Sequence, residues 1–178
     1  MKKYLVRIAA SLAVLAVVAQ LFRPELTNPQ SDPSLSVKNY KGIPPEVASK
    51  LETACFDCHS NQTRWLWYSY ITPVNYLIAK DVNSGRKRMN FSDWGKLKPG
   101  KLLSLLDEIY TQVYNHEMPD PKYRFLHSEA RLTDAEVKMI CDWASGEQDR
   151  LSEEREMVSE QIQQKGETND STGAKKTH

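Results

Sequence analysis

Cys55 and Cys58 stand three residues apart, and His59 follows at once. No other feature narrows the fold as much. Two thiols on one turn, with an imidazole beside the second, must be presented on an accessible side of whatever core the chain builds. The spacing Cys-x-x-Cys-His is a haem-attachment signal: the thiols add across two vinyl groups and the histidine is placed under the iron. The expected cofactor is therefore one covalently bound haem c, held by Cys55 and Cys58 with His59 as an iron ligand. Three rivals stand beside this reading. A zinc site needs two further Cys or His ligands at ordered spacing, but His116 and His127 are eleven residues apart and the third cysteine, Cys141, is remote. A thioredoxin-like pair needs a βαβ setting, and strand signals are scarce. A Cys55–Cys58 disulfide leaves His59 without a role.

The N-terminus sets the compartment. Lys2, Lys3 and Arg7 precede an apolar run from Ile8 to Phe22, interrupted only by Ser11 and Gln20. That run, about 15 residues, is at the upper end for a signal peptide and short for a span. Counted from Tyr4, with Arg7 snorkelling, it reaches about 19 residues. The expectation is a transmembrane anchor over residues 1–22, with a signal cleaved after Ala19 as the alternative and a buried core helix as a third reading. An anchor or a signal places the rest of the chain in the periplasm or at the outer face of the inner membrane, because flanking basic residues stay inside. Three cysteines in 178 residues make no disulfide scaffold. A net charge of +1 gives no footprint for nucleic acid.

Residues 23–42 read as a linker, with Pro24, Pro29 and Pro33 and no apolar period. Pro44 and Pro45 then open a helix with Val47, Leu51 and Ala54 on one face, delivering the chain into the cysteine motif. A second helix is predicted from Pro73 to Ser84 (Val74, Leu77, Ile78, Val82), with Gly85 at its C-terminal end. A third runs from Lys101 to Asn115, with Leu102, Leu105, Leu106, Ile109 and Val113 inward. The capping box Thr133-Asp-Ala-Glu136 opens a last helix to about Ser145, with Ala135, Met139, Ile140 and Trp143 as its stripe. The haem-binding domain is thus expected over 43–146. A polar tail follows over 147–178, helical to Gln164 at most and disordered from Lys165. The fold class is all-α: a small cytochrome c-like helical domain around one haem.

Met118 is the leading candidate for the second axial ligand. It sits on a loop between Glu117 and Pro119, and the following proline keeps it out of helix. His116 and His127 compete, and an open site is the remaining alternative. Thioether ligation raises the reduction potential relative to a second imidazole. Trp65 and Trp67 are candidates for the apolar wall of the haem, against an ordinary aromatic core. Arg64 reads as a surface charge more readily than as a propionate partner. Arg86, Lys87 and Arg88 read as a solvated helix end, or as a dock for an acidic redox partner. Cys141 reads as a small buried side chain.

The block Cys55-Phe-Asp-Cys-His-Ser-Asn-Gln-Thr-Arg-Trp-Leu-Trp-Tyr68, with Pro73-Val74, Gly85-Arg86, Asn90-Phe-Ser-Asp-Trp94, Glu117-Met-Pro119 and Leu126-His-Ser-Glu-Ala-Arg-Leu-Thr133, resembles the bacterial haem-binding domain family of c-type cytochromes. The Phe22-Arg-Pro24 and Thr27-Asn-Pro29 segments share the resemblance. It implies an all-helical, monohaem, membrane-anchored or periplasmic protein. Cys55 and Cys58 would carry the thioethers, His59 would be the proximal ligand and Met118 the distal one. Asp120 departs from the proline or aromatic common after Met-Pro in relatives, which implies a looser loop. A six-coordinate haem has no open position for substrate. The expected role is therefore one-electron transfer with redox partner proteins, and no enzyme activity. A haem-based sensor with a labile Met118, or an accessory subunit, is the alternative.

Overall fold

The computed structural model describes residues 1–173, with side chains described to residue 165. Among the described residues there are α-helices and 3-10 turns and no strand, which makes the protein all-α. The chain divides into two compact units, residues 1–96 and 97–178. The stretch expected as one haem-binding domain, 43–146, crosses that division.

The first helix, α1, covers Lys2–Ala19, and none of its side chains is buried. It falls short of the expected anchor. Because it begins at Lys2, it includes three cations, and its apolar part from Ile8 to Ala19 rises only ~18 Å against a hydrocarbon core of about 30 Å. No helix among the described residues is long and apolar enough to cross a membrane.

The core of this first unit is built around α2 (Pro45–Ala54) and the one-turn α3 (Phe56–His59), with α4 (Val74–Arg88) against α3. Pro45 begins α2, where a missing N–H costs nothing. Val47, Ala48, Leu51 and Ala54 form its buried face. Phe56 stacks on Phe91 at 5.5 Å between ring centres, and Phe91 meets Trp94 at 5.5 Å. Phe91 and Trp94 are fully buried, and Val37 is too. Residues 23–42 are therefore more than a linker: the turns Pro33–Leu35 and Val37–Asn39 pack against the turn Phe91–Lys96.

The second unit rests on α5 (Pro99–Tyr114) against α7 (Asp134–Gly173), with the short α6 (Pro121–Leu126) between them in sequence. The five apolar residues expected inside α5 are all buried. Thr133 and Glu136 form the capping box: Thr133 N donates to Glu136 Oε2 at 2.8 Å and Glu136 N to Thr133 Oγ1 at 3.3 Å. The buried stripe of α7 differs from the expected one. It runs through Val137, Ile140, Cys141, Trp143, Ala144 and Leu151, so the expected Ile140 and Trp143 are buried, while Met139 is half-buried and Ala135 exposed. This stripe carries α7 past Ser145, because Glu147 and Leu151 continue it. The helix extends to Gly173 where disorder is expected from Lys165, and the last five residues lie outside the described ones.

Candidate haem-attachment site

Cys55 caps α3, and the backbone N–H groups of Cys58 and His59 both donate to its carbonyl, at 3.2 and 2.9 Å. Residues at i, i+3 and i+4 share one face of a helical turn. Cys55, Cys58 and His59 occupy those positions and are the partly exposed residues of the turn, whereas Ala54, Phe56, Asp57 and Ser60 are buried. The two intervening residues anchor the other face. Phe56 enters the aromatic core, and the Asp57 carboxylate takes Arg64 N at 2.9 Å and the Arg64 guanidinium through both oxygens, at 2.9–3.2 Å. Arg64 is thus committed to the motif's own loop.

His59 is oriented from behind. Its Nδ1 lies 3.3 Å from the Met89 carbonyl, which only accepts, so Nδ1 carries the proton and Nε2 keeps its lone pair. A ligating histidine is usually held this way, with one ring nitrogen bonded and the other free for metal. Burial pulls the His59 pKa below its ordinary value, opposed by bonds to the Met89 and Gly85 backbone. The neutral form is therefore favoured in the fold. In the haem-free chain His59 binds fewer protons folded than unfolded, so stability is fully present above the ordinary pKa of 6.5 and is lost as pH falls towards the depressed folded value. Denaturant titrations from pH 7.5 down should show a falling midpoint, and His59→Gln should flatten that slope. An unchanged slope would assign it to other groups.

Gly85 lies inside α4, not at its end, and its role is close approach. A Cβ there would stand 2.5 Å from the Cys58 carbonyl oxygen and 3.0 Å from its carbon. Arg86 follows and ties the surrounding loops together. Its Nε donates to Ser60 O at 2.7 Å, Nη1 to Thr27 O at 2.9 Å, and Nη2 to Asn28 Oδ1 and Thr63 Oγ1 at 2.7 and 2.8 Å. The guanidinium also lies over Trp65, 5.9 Å from the ring centre. Asn90 and Ser92 hold the loop from the other side: Asn90 Nδ2 donates to Asn61 Oδ1 and Asn61 N to Ser92 Oγ. Sequence reasoning missed Asp57, Arg86 and Met89 as supports. The adjacency of Gly85 and Arg86 was the one visible signal.

These residues fit a haem. The thiols are unbridged. Burial and the neighbouring Cys58 push the Cys55 thiol up to about 12, which keeps it protonated at neutral pH. That is the reverse of the lowered pKa of a redox-active pair. No group of three or more His, Cys, Asp or Glu among the described residues could hold a metal ion, so zinc has no ligand set there. Trp65 Nε1 is shut off from solvent without an acceptor, a gap a propionate or other acceptor would fill. Trp67 is 75% exposed.

The remaining candidates belong to the second unit. Met118 follows α5 and is more than a third exposed, with its N–H bonded to Gln112 O. Asp120 does not loosen this loop: its carboxylate accepts Lys122 N at 2.7 Å and caps α6. His116 is exposed and holds φ 54, in the left-handed region where helices end. His127 is buried, stacked on Tyr123 at 4.1 Å, with Nδ1 3.1 Å from Glu129 Oε1. Cys141 is buried on α7, as expected.

The model of the haem-binding domain family matches residues 14–146, most of the chain. The chain belongs to this family and is a haem-binding protein. Comparison with curated proteins and with solved structures finds no match.

Proposed function

We propose that the chain binds one haem covalently through Cys55 and Cys58, with His59 Nε2 as the proximal ligand and Met118 as the distal one, and that it transfers single electrons outside the cytoplasm. The observation carrying this reading is the shared face of Cys55, Cys58 and His59, with the Nδ1 of His59 fixed on Met89 O. The haem supplies the reversible one-electron chemistry. The protein's part is to orient His59, exclude water and set the potential through its ligands. Met118 suits the distal position because its thioether is exposed on a proline-bounded loop, while His127 is already engaged by Glu129 and Tyr123. A saturated iron argues for electron transfer rather than catalysis.

Export rests on Lys2, Lys3 and Arg7 ahead of the apolar run. Alkaline phosphatase fused after residue 146 should be active, and an inactive fusion would refute export. For the distal ligand, the ferric protein should show the weak red charge-transfer band of methionine ligation and the reduced protein should not bind CO. Met118→Ala should abolish the band and admit CO. A variant with an unchanged spectrum would remove Met118 from the iron.

A further inference from the structure

The helix α4 turns its apolar residues the wrong way for an element that only has to pack within its own unit. Asn75, Ala79, Val82 and Gly85 face inward. Val74, Tyr76 and Leu77 are exposed, Leu77 at 63%. The turn before it behaves alike, with Trp67 at 75% and Tyr70 and Ile71 also exposed. Six large apolar side chains in eleven residues thus lie uncovered, although the sequence pattern assigns Val74 and Leu77 to a helix face of core type.

This stretch is fastened to α1. Thr72 N donates to Gln20 Oε1 at 3.1 Å, and Gln20 Nε2 donates to Thr72 O at 3.3 Å, so one carboxamide satisfies both backbone groups of Thr72. Gln20 ends α1, whose side chains are all unburied, and the exposed Leu21 and Phe22 follow it. Two uncovered apolar surfaces therefore meet at one clamp.

We propose that α1 and the 66–77 stretch form a single lipid-contacting surface, so that the unit carrying the cysteine motif rests against a membrane through Trp67, Tyr70, Ile71 and Leu77. The occupant is argued from α1, which has no buried side chain and carries Lys2, Lys3 and Arg7 ahead of its apolar run. Large exposed apolar patches on soluble chains mark sites of contact with proteins or membranes. Tryptophan and tyrosine favour the headgroup level of a bilayer. Lys2, Lys3 and Arg7, on the same helix, suit anionic headgroups. The contact needs no spanning segment. It extends the export reading, which supplies the face of the membrane involved, but its test does not depend on it.

The test is hydroxyl-radical labelling of the full-length holoprotein, in buffer and with phosphatidylethanolamine–phosphatidylglycerol vesicles, normalised to a soluble reference peptide. Labelling of Trp67, Tyr70 and Leu77 should fall about fivefold on vesicles, as burial at the acyl boundary requires. Gln20→Ala should keep the chain on vesicles through α1 and restore much of that labelling. Equal labelling with and without vesicles overturns the proposal, whether the residues stay open or are already covered by the protein's own haem. Failure of the export reading would show instead in the phosphatase fusion, with the vesicle result intact.

Discussion

Gly85→Ala should destabilise the protein by about 1–3 kcal/mol and sharply reduce haem incorporation, through one methyl group. The added Cβ would stand 2.5 Å from the Cys58 carbonyl oxygen, a distance real Cβ atoms do not adopt. The two nearest atoms, the Cys58 carbonyl oxygen and carbon, are backbone, and the third is the Cys58 Cβ fixed to it, so no flexible side chain can swing aside. Either α4 withdraws or the turn bearing Cys58 and His59 shifts, and both displace the Met89 carbonyl that orients His59. Gly146→Ala is the control. Gly146 also sits within a helix, but its Cβ would meet nothing within 4 Å, so this change should be neutral or stabilising by up to about 1 kcal/mol. Chemical denaturation and haem content per chain read both. Equal behaviour of the two variants would refute the close-approach account.

Arg86→Ala should cost about 2–4 kcal/mol, since charge-assisted hydrogen bonds contribute more than neutral ones and the abandoned acceptors are only partly wet. Four acceptors on two loops depend on this guanidinium: Ser60 O and Thr63 Oγ1 on one, Thr27 O and Asn28 Oδ1 on the other. The half-exposed setting keeps the loss below the sum of four bonds, because water replaces the outer ones. Arg86→Lys should recover less than half, as an ammonium cannot reproduce the planar fork. Denaturant midpoints of the two variants decide this. A full rescue by lysine would mean that only charge matters at this position.

The parts of the fold legible in sequence were those governed by a period. The faces of α2 and α5 follow directly from apolar spacing, and the capping box before α7 is present as read. The misread parts each have a physical cause. The outward residues of α4 satisfy the same helical period as a core stripe, and periodicity does not say which face is covered. Gly85 looks like a helix stop because close backbone approach and helix termination favour the same residue. Residues 23–42 lack a period, yet Val37 is buried against the Phe91–Lys96 turn and Thr27 and Asn28 are hydrogen-bonded to Arg86 and Thr63, contacts that no pattern announces. The placement of Cys55, Cys58 and His59 on one face of a turn was readable because it depends on spacing alone. Its support by Asp57, Arg64 and Met89 was not, because it depends on tertiary geometry.

Covalent attachment of a single haem through Cys55 and Cys58 is the central claim, and the mass of the denatured protein tests it most directly. Protein matured in an exporting host should carry the mass of one haem through acid denaturation and organic extraction. Cys55→Ala with Cys58→Ala should give the bare chain, with any haem moving to the organic phase. A wild-type mass equal to the bare chain, or a doubly substituted chain that still holds haem after extraction, would contradict it.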